Sequence, residues 1–324
     1  MPLKRGAFSG LSGKIVINRT SIAAVVLFLI VIPLWAGNNM LNVMSLILLY
    51  MAIGQMWNLM AGYSGMVSLG QQIFIGIGGY SVAIITRLFS LNFFVGIFVG
   101  GVLSAFFALV ISFPIFKTRG VFFTIGTWIV AEALALFFTN WPFVNYAAGM
   151  HITVNRTLSW SFIYIISLVL GLGAVALVYI IMRTKLGLAL MSIRDNESAA
   201  EVMGVDIYKT KLKTFLISAV VTGMCGAVMY INVGFITPYS GFGISWTVAA
   251  VIVVIIGGIG TMEGPIIGAV IYVLLNQFLY AFPGMSMIIL GAVAIVVILI
   301  APNGIMGTLH EKTGLEILSP RRKV

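Results

Sequence analysis

The sequence predicts an all-α integral membrane protein of about ten transmembrane or partly re-entrant helices, with both termini on the cytoplasmic side. Three observations carry that expectation. Hydrophobic residues make up 61% of the 324, charged residues only 8%, and mean hydropathy is +1.14, whereas about a quarter of residues in soluble domains are charged. Charge-free runs recur at lengths near the roughly 20 residues that cross a hydrocarbon core. Basic residues gather between those runs, as they do in short cytoplasmic loops.

The first segment, 21–36, follows Lys4, Arg5, Lys14 and Arg19. A cleaved leader has the same outline, but Leu34 and Trp35 before Ala36 make a poor cleavage site. The segment is therefore a span, and 1–20 a basic cytoplasmic N-terminus. Segments 40–61, 66–86 and 93–116 come next, and Lys117 and Arg119 follow the last of them. After 121–138 and 160–182 comes a polar loop, 183–213, with Arg183, Lys185, Arg194, Lys209, Lys211 and Lys213. Segments 214–236, 246–260, 265–282 and 285–301 complete the set, and a tail, 302–324, carries Lys312, Arg321, Arg322 and Lys323. Of 18 basic residues only Arg87 and Arg156 are left for the opposite face, so the number of crossings is even. No Pro- or Ser-rich linker divides the chain, and 21–301 is one membrane domain. Glycine interrupts 62–80 and 257–268, at corresponding places in the two halves. Paired interruptions of this kind mark permeases with a site near the bilayer midplane. Gly96 and Gly100 form a GxxxG helix-contact pattern.

The formal charge of +10 sits at segment ends rather than on one face, which suits topology and anionic headgroups and not nucleic acid. There is no GxxxxGK[ST] phosphate loop, no HExxH and no paired-cysteine metal pattern; His151 and His310 fall in loops, and Cys225 sits in an apolar run as packing. The chain is expected neither to hydrolyse ATP nor to be a membrane enzyme.

Four polar features remain. In 192–213, Asp195 suits an N-cap, Glu197 and Glu201 suit helix, and Gly204 suits the left-handed C′ position, so a two-turn helix is expected over 196–203. Its Ala199, Ala200 and Met203 make a small apolar face that fits a protein cleft, or that rests on headgroups. In 62–80, Tyr63, Ser64, Ser68, Gln71, Gln72 and Tyr80 lie among glycines. They either meet the two charged ends of a small zwitterion or bond neighbouring helices, and Thr261 and Glu263 stand in the same position. Glu132 is the one acidic residue deep in a segment, a proton relay or a structural partner of Trp, Thr or a second subunit. The outer loop, 139–159, with Trp141, Pro142, Tyr146, His151 and Arg156, is a connector or a docking surface for an extracytoplasmic binding protein.

RDNESAAEVMGVD at 194–206 resembles the cytoplasmic coupling loop of branched-chain amino-acid ABC transporter permeases of the LivM type. NLMAGYSGMVSLGQQIFIGIGGY at 58–80, KTRGVFFTIGT at 117–127 and GGIGTMEGPIIGA at 257–269 are similar to further signatures of that family. The resemblance spans roughly 40 to 305. It implies a type II-like importer permease of the bacterial cytoplasmic membrane, paired with a homologous second permease, two cytoplasmic ATP-binding subunits and an extracytoplasmic substrate-binding protein. ATP would be bound by those partners, and the chain would need no cofactor of its own. By the family pattern Arg194, Asp195, Asn196, Glu197, Ala199, Ala200, Glu201 and Gly204 would seat a coupling helix in an ATPase cleft. A permease for urea or short amides, and an ion-coupled carrier using Glu132, are the alternatives.

Overall fold

The computed structural model describes residues 19–89, 91–153, 159–279 and 285–313. Arg156 and the basic residues Lys4, Arg5, Lys14, Arg321, Arg322 and Lys323 lie outside them. The helices are α1 Arg19–Val31, α2 Asn38–Ser64, α3 Gln71–Arg87, α4 Phe93–Ile115, α5 Val121–Thr139, α6 Trp160–Met182, α7 Lys185–Asp195, α8 Glu197–Val202, α9 Ile207–Val233, α10 Pro238–Gly241, α11 Ser245–Gly257, α12 Gly264–Leu279, α13 Ser286–Ile300 and α14 Gly304–Thr313. Each of the ten apolar segments carries a helix. Among the described residues, however, seven stretches rather than ten are long and apolar enough to cross a membrane: α2, α4, α5, α6, α9, α10 with α11, and 288–311 across α13 and α14. The short ones, α1, α3 and α12, have 13, 17 and 16 residues.

Two helices differ from expectation for local reasons. α9 begins at Ile207 rather than 214, because the Asp206 carboxylate accepts the N–H of Lys209 at 2.9 Å and caps a polar turn bearing Lys209, Lys211 and Lys213. α7 was not expected at all; Thr184 caps it by accepting from the N–H of Leu186.

α2 and α9 form the centre. α2 packs on α6, α9, α11 and α12, while α3 and α4 pack on each other and on α9. Backbone contact makes this second group tight: a Cβ at Gly78 of α3 would overlap the Gly223 carbonyl of α9, and one at Gly100 of α4 would lie 3.1 Å from the Gly78 Cα. Small residues at such crossings are how helices associate in lipid, where apolar burial gives no preference for a neighbour. The GxxxG of Gly96 and Gly100 thus joins α4 to α3. α5 sits at the rim, with Phe122, Ile129, Leu136 and Phe137 exposed.

At the opposite end from α7 and α8, a short strand β1, Met150–His151, pairs antiparallel with β2, Phe235–Ile236. Met150 stands opposite Ile236 and His151 opposite Phe235. The described part of the outer loop is therefore tied to the chain that leaves α9.

Candidate functional site

α2 ends at Gly65, whose φ of +73° makes the left-handed cap; the N–H groups of Gly65 and Met66 donate to the Ala61 and Met60 carbonyls. From there the chain does not turn back as helix. Residues 65–70 run as irregular backbone between α2 and α5 before α3 starts. Thr127, whose Oγ1 accepts from the Leu69 N–H at 3.0 Å, is six residues along α5, a rise of roughly 9 Å. The segment therefore climbs into the bundle, and α3 begins at depth. Irregular backbone at that depth is sustainable only when protein satisfies it. Here the Trp57 indole donates to the Ser68 carbonyl at 2.9 Å, Thr124 Oγ1 to the Val67 carbonyl at 2.7 Å, and Ser68 Oγ accepts from the Gly70 N–H.

The second break, 258–263, joins α11 to α12 with Gly258 at φ +127° and Gly260 at φ +74°. It lies against the last turns of α2. Asn58 accepts the Gly260 N–H through Oδ1 at 2.8 Å and donates through Nδ2 to the Thr261 carbonyl at 2.7 Å. One turn earlier, Gln55 Nε2 donates to the Met262 carbonyl at 2.6 Å. Gly62 has to be glycine because a Cβ there would collide with Gly260 backbone. Thr261 Oγ1 donates to the Gly258 carbonyl and accepts from the Gly264 N–H, closing the turn. Glu263 is buried, its Oε2 3.9 Å from Nε2 of His310 on α14.

The pathway residues fall into two places. Tyr63 and Ser64 at the end of α2, with Thr261 and Glu263, form a cluster around the junction of the two breaks. Ser68, Gln71 and Gln72 lie higher, at the start of α3. There Gln71 accepts from Thr222 Oγ1 at 3.2 Å and donates to Ser218 Oγ at 3.4 Å, and Thr247 Oγ1 bonds the Gln72 side chain and accepts its N–H. Tyr80 is apart, about 13 Å further along α3, stacked on Phe242 and packed on Phe138. Of these residues, Ser64 lines the cavity of about 560 Å³ at the α7–α8 end, together with Val67, Phe123, Arg119, Arg194 and Glu197. Gln55, Asn58 and Thr247 were not anticipated. A signal for the first two was present in the sequence: two amides three residues apart in an apolar run, followed by Gly62 four residues after the second.

The short helix expected over 196–203 is present as α8, preceded by α7 and with a different cap and outward face. Asn196, not Asp195, caps α8, accepting the Ala199 N–H at 3.0 Å. Asp195 is instead the last residue of α7, so the side chain one position later is the one that reaches the free N–H groups. Gly204, φ +85°, ends α8 in a Schellman arrangement, with the Val205 N–H on the Ala200 carbonyl and the Gly204 N–H on the Glu201 carbonyl. Ala200 is fully buried against the bundle, so the outward apolar edge consists of Ala199, Val202 and Met203 rather than Ala199, Ala200 and Met203; Glu201 is exposed beside it. Glu197 joins three elements: Lys211 Nζ of α9 lies 2.9 Å from Oε2, and Arg119 Nε of the α4–α5 connector 3.9 Å from Oε1. Asp206 is held below the usual carboxylate range by the N–H and ammonium of Lys209. Arg194 reaches inward, its Nη1 donating to the Gly62 carbonyl at 3.1 Å while Nε and Nη2 bond the Asp195 carboxylate.

Glu132 faces outward from α5 and accepts the Trp128 indole N–H at 3.1 Å, the pairing with tryptophan that a structural role predicts. Among the described residues no group of three or more His, Cys, Asp or Glu is arranged to hold a metal ion.

A helical membrane bundle with two glycine-broken crossings, one climbing through its interior, and a capped helix pair on one face defines a multi-pass permease of the cytoplasmic membrane. Residues 39–298 match the family described as Branched-chain amino acid transport system / permease component, and the chain belongs to that family. It is similar to the High-affinity branched-chain amino acid transport system permease protein LivM of Escherichia coli, with 22% identity covering 91% of this chain and 76% of the relative. The Probable branched-chain amino acid transport permease protein LivH of Methanocaldococcus jannaschii is 29% identical over 46% of this chain and 50% of its own length. The Probable ABC transporter permease protein YphD of Escherichia coli is 23% identical over half of each chain. No solved structure matches the chain.

Proposed function

We propose that the chain is one permease subunit of an ABC importer that carries branched-chain amino acids (leucine, isoleucine and valine) across the cytoplasmic membrane. ATP hydrolysis in two cytoplasmic partner subunits drives it, a homologous second permease completes the membrane part, and an extracytoplasmic binding protein delivers the substrate. The chain itself is not an enzyme and holds no cofactor; ATP stays with the partners.

The carrying observation is that the α7–α8 pair, which has the sequence of a coupling loop, is bonded directly to the end of α2 at the first break, to α9 and to the α4–α5 connector. A short rigid helix seated in an ATPase cleft by the outward residues between Asp195 and Gly204 turns nucleotide-driven closure into movement of those elements, with Arg194 reaching inward from it. Ten crossings, or partial crossings, with both termini cytoplasmic fit this arrangement. Arg119, Glu197 and Lys211 meet at one end, so the 116–120 connector and the 183–213 loop share a side, as the basic residues require. Residues 1–20 and 302–324 are then cytoplasmic extensions of the membrane domain 21–301.

The substrate route runs where α3 begins at depth. Ser68, Gln71 and Gln72 offer amides and a hydroxyl beside a helix N-terminus that favours a carboxylate, Tyr80 and its aromatic neighbours suit an aliphatic side chain, and Tyr63, Ser64, Thr261 and Glu263 stand at the inner exit. The test is uptake in vesicles by the assembled transporter. Orthovanadate should stop uptake, and leucine, isoleucine and valine should compete while urea and acetamide do not. Uptake that ignores vanadate but collapses with an uncoupler would overturn ATP coupling, and competition by urea alone would overturn the cargo.

A further inference from the structure

The Arg194 guanidinium sits where three separate pieces of chain end. Gly62 is in the last turn of α2, where carbonyls lack intrahelical donors and the helix dipole is negative. The N–H that would serve its carbonyl, that of Met66, goes to Met60 instead. Arg194 supplies the missing donor through Nη1. On its other side is the second break: a Cβ at Gly260 would lie 3.4 Å from the Gly62 oxygen and 3.7 Å from Arg194 Nη1. Its stem runs along Gly65, the residue that ends α2, so that a Cβ there would rest 3.6–3.9 Å from the Arg194 Cα, Cβ and Cγ. Asp195 takes the remaining face of the guanidinium at 3.1 and 3.2 Å.

We propose that Arg194 is the positioning residue that latches the coupling helices to the end of α2, where the two chain breaks meet, so that movement of α7 and α8 reaches the pathway by breaking or making its bond to the Gly62 carbonyl. This rests on the importer reading above and assigns the residue an inward task distinct from seating an ATPase. Two features of the site suit a latch. The bond is charge-assisted and directional, so it resists small displacements and fails as a unit. Asp195, on the same helix, gives the guanidinium a second acceptor, so release from Gly62 leaves the cation paired. The planar fork serves both acceptors at once in a fixed geometry, which the single nitrogen of an ammonium reproduces less well.

The experiment uses the complete transporter in vesicles, with Arg194→Gln and Arg194→Lys in the wild-type background and again with Thr261→Cys as a reporter. Cys225 is the one native cysteine and is buried, so labelling by an impermeant maleimide reports position 261. In otherwise wild-type protein, labelling should change between nucleotide-free and vanadate-trapped states. With Arg194→Gln, the ATPase subunits should still co-purify and ATP should still be hydrolysed. Uptake should fall about tenfold or more, the scale of a lost charge-assisted hydrogen bond, and labelling at 261 should no longer respond to nucleotide. Arg194→Lys should fall between the two. Loss of the ATPase subunits in either variant would overturn the latch in favour of a docking role, and wild-type uptake with an intact labelling response would overturn it outright. If the unmodified transporter shows no vanadate-sensitive uptake, it is the importer reading that fails, and the latch fails with it.

Discussion

Asn58 accepts the backbone N–H of Gly260 at 2.8 Å, although 202 residues separate them. With its amide nitrogen on the Thr261 carbonyl, this one side chain satisfies two of the backbone groups that the bend after α11 would otherwise strand. Asn58→Ala should destabilise the protein by about 2–4 kcal/mol, since two buried backbone groups lose partners and a cavity opens. Thermal unfolding in detergent measures the loss. Asn58→Gln tests register: its longer arm cannot place both atoms, and it should recover little.

Gly78 and Gly173 separate contact from conformation. Both are in helices, but a Cβ at Gly78 would enter the Gly223 carbonyl, whereas one at Gly173 would meet nothing within 4 Å. Gly78→Ala should cost about 1–3 kcal/mol by forcing α3 from α9. Gly173→Ala should be neutral, or should stabilise by up to about 1 kcal/mol through helix propensity. Equal melting temperatures for the two variants would contradict the packing described.

The ends of α8 should matter for coupling and not for insertion. Gly204→Pro removes the N–H that closes the helix and forbids its φ of +85°; Glu201→Arg reverses an exposed charge beside the outward face. Membrane levels should match wild type, while substrate-stimulated ATP hydrolysis is lost. Asn196→Ala, which loses a cap worth about 1 kcal/mol, should reduce stimulation without abolishing it. Normal stimulation in all three would remove α8 from the coupling route.

Glu132 should be dispensable for energy coupling. Its carboxylate turns outward and rests on Trp128, away from the buried amides of α2 and α3. Glu132→Gln keeps an acceptor for the indole and should preserve ATP-dependent uptake that an uncoupler does not affect. Loss of uptake in Glu132→Gln, together with sensitivity to the uncoupler, would revive the ion-coupled carrier.

The sequence disclosed what is governed by solvent and by local backbone. Each of the ten apolar segments carries a helix because lipid leaves an unpaired backbone few other partners, and Gly204 ended α8 because its left-handed position is local. α7 escaped notice because KLGLALMSIRD mixes apolar and charged residues in a polar loop, with no run of lipid length. The depth of α3 was hidden for another reason. Whether 65–70 turns at the surface or climbs inside depends on Thr124, Thr127 and Trp57, residues that reach it only after the fold has formed. The same holds for Gln72 with Thr247 and Asn58 with Gly260, pairs that periodicity cannot connect.

The backbone contact of α3, α4 and α9 at Gly78, Gly100 and Gly223 bears on what can move. Surfaces joined by interlocked main chain cannot slide by rotamer changes; they must first come apart, losing dispersion contact that lipid does not replace. Hydrogen bonds such as those around Gly62 and Gly260 can be exchanged one acceptor at a time. The molecule is therefore divided into a keel and a rudder: three helices that travel together, and a hydrogen-bonded hinge beside them where conformational work is cheapest.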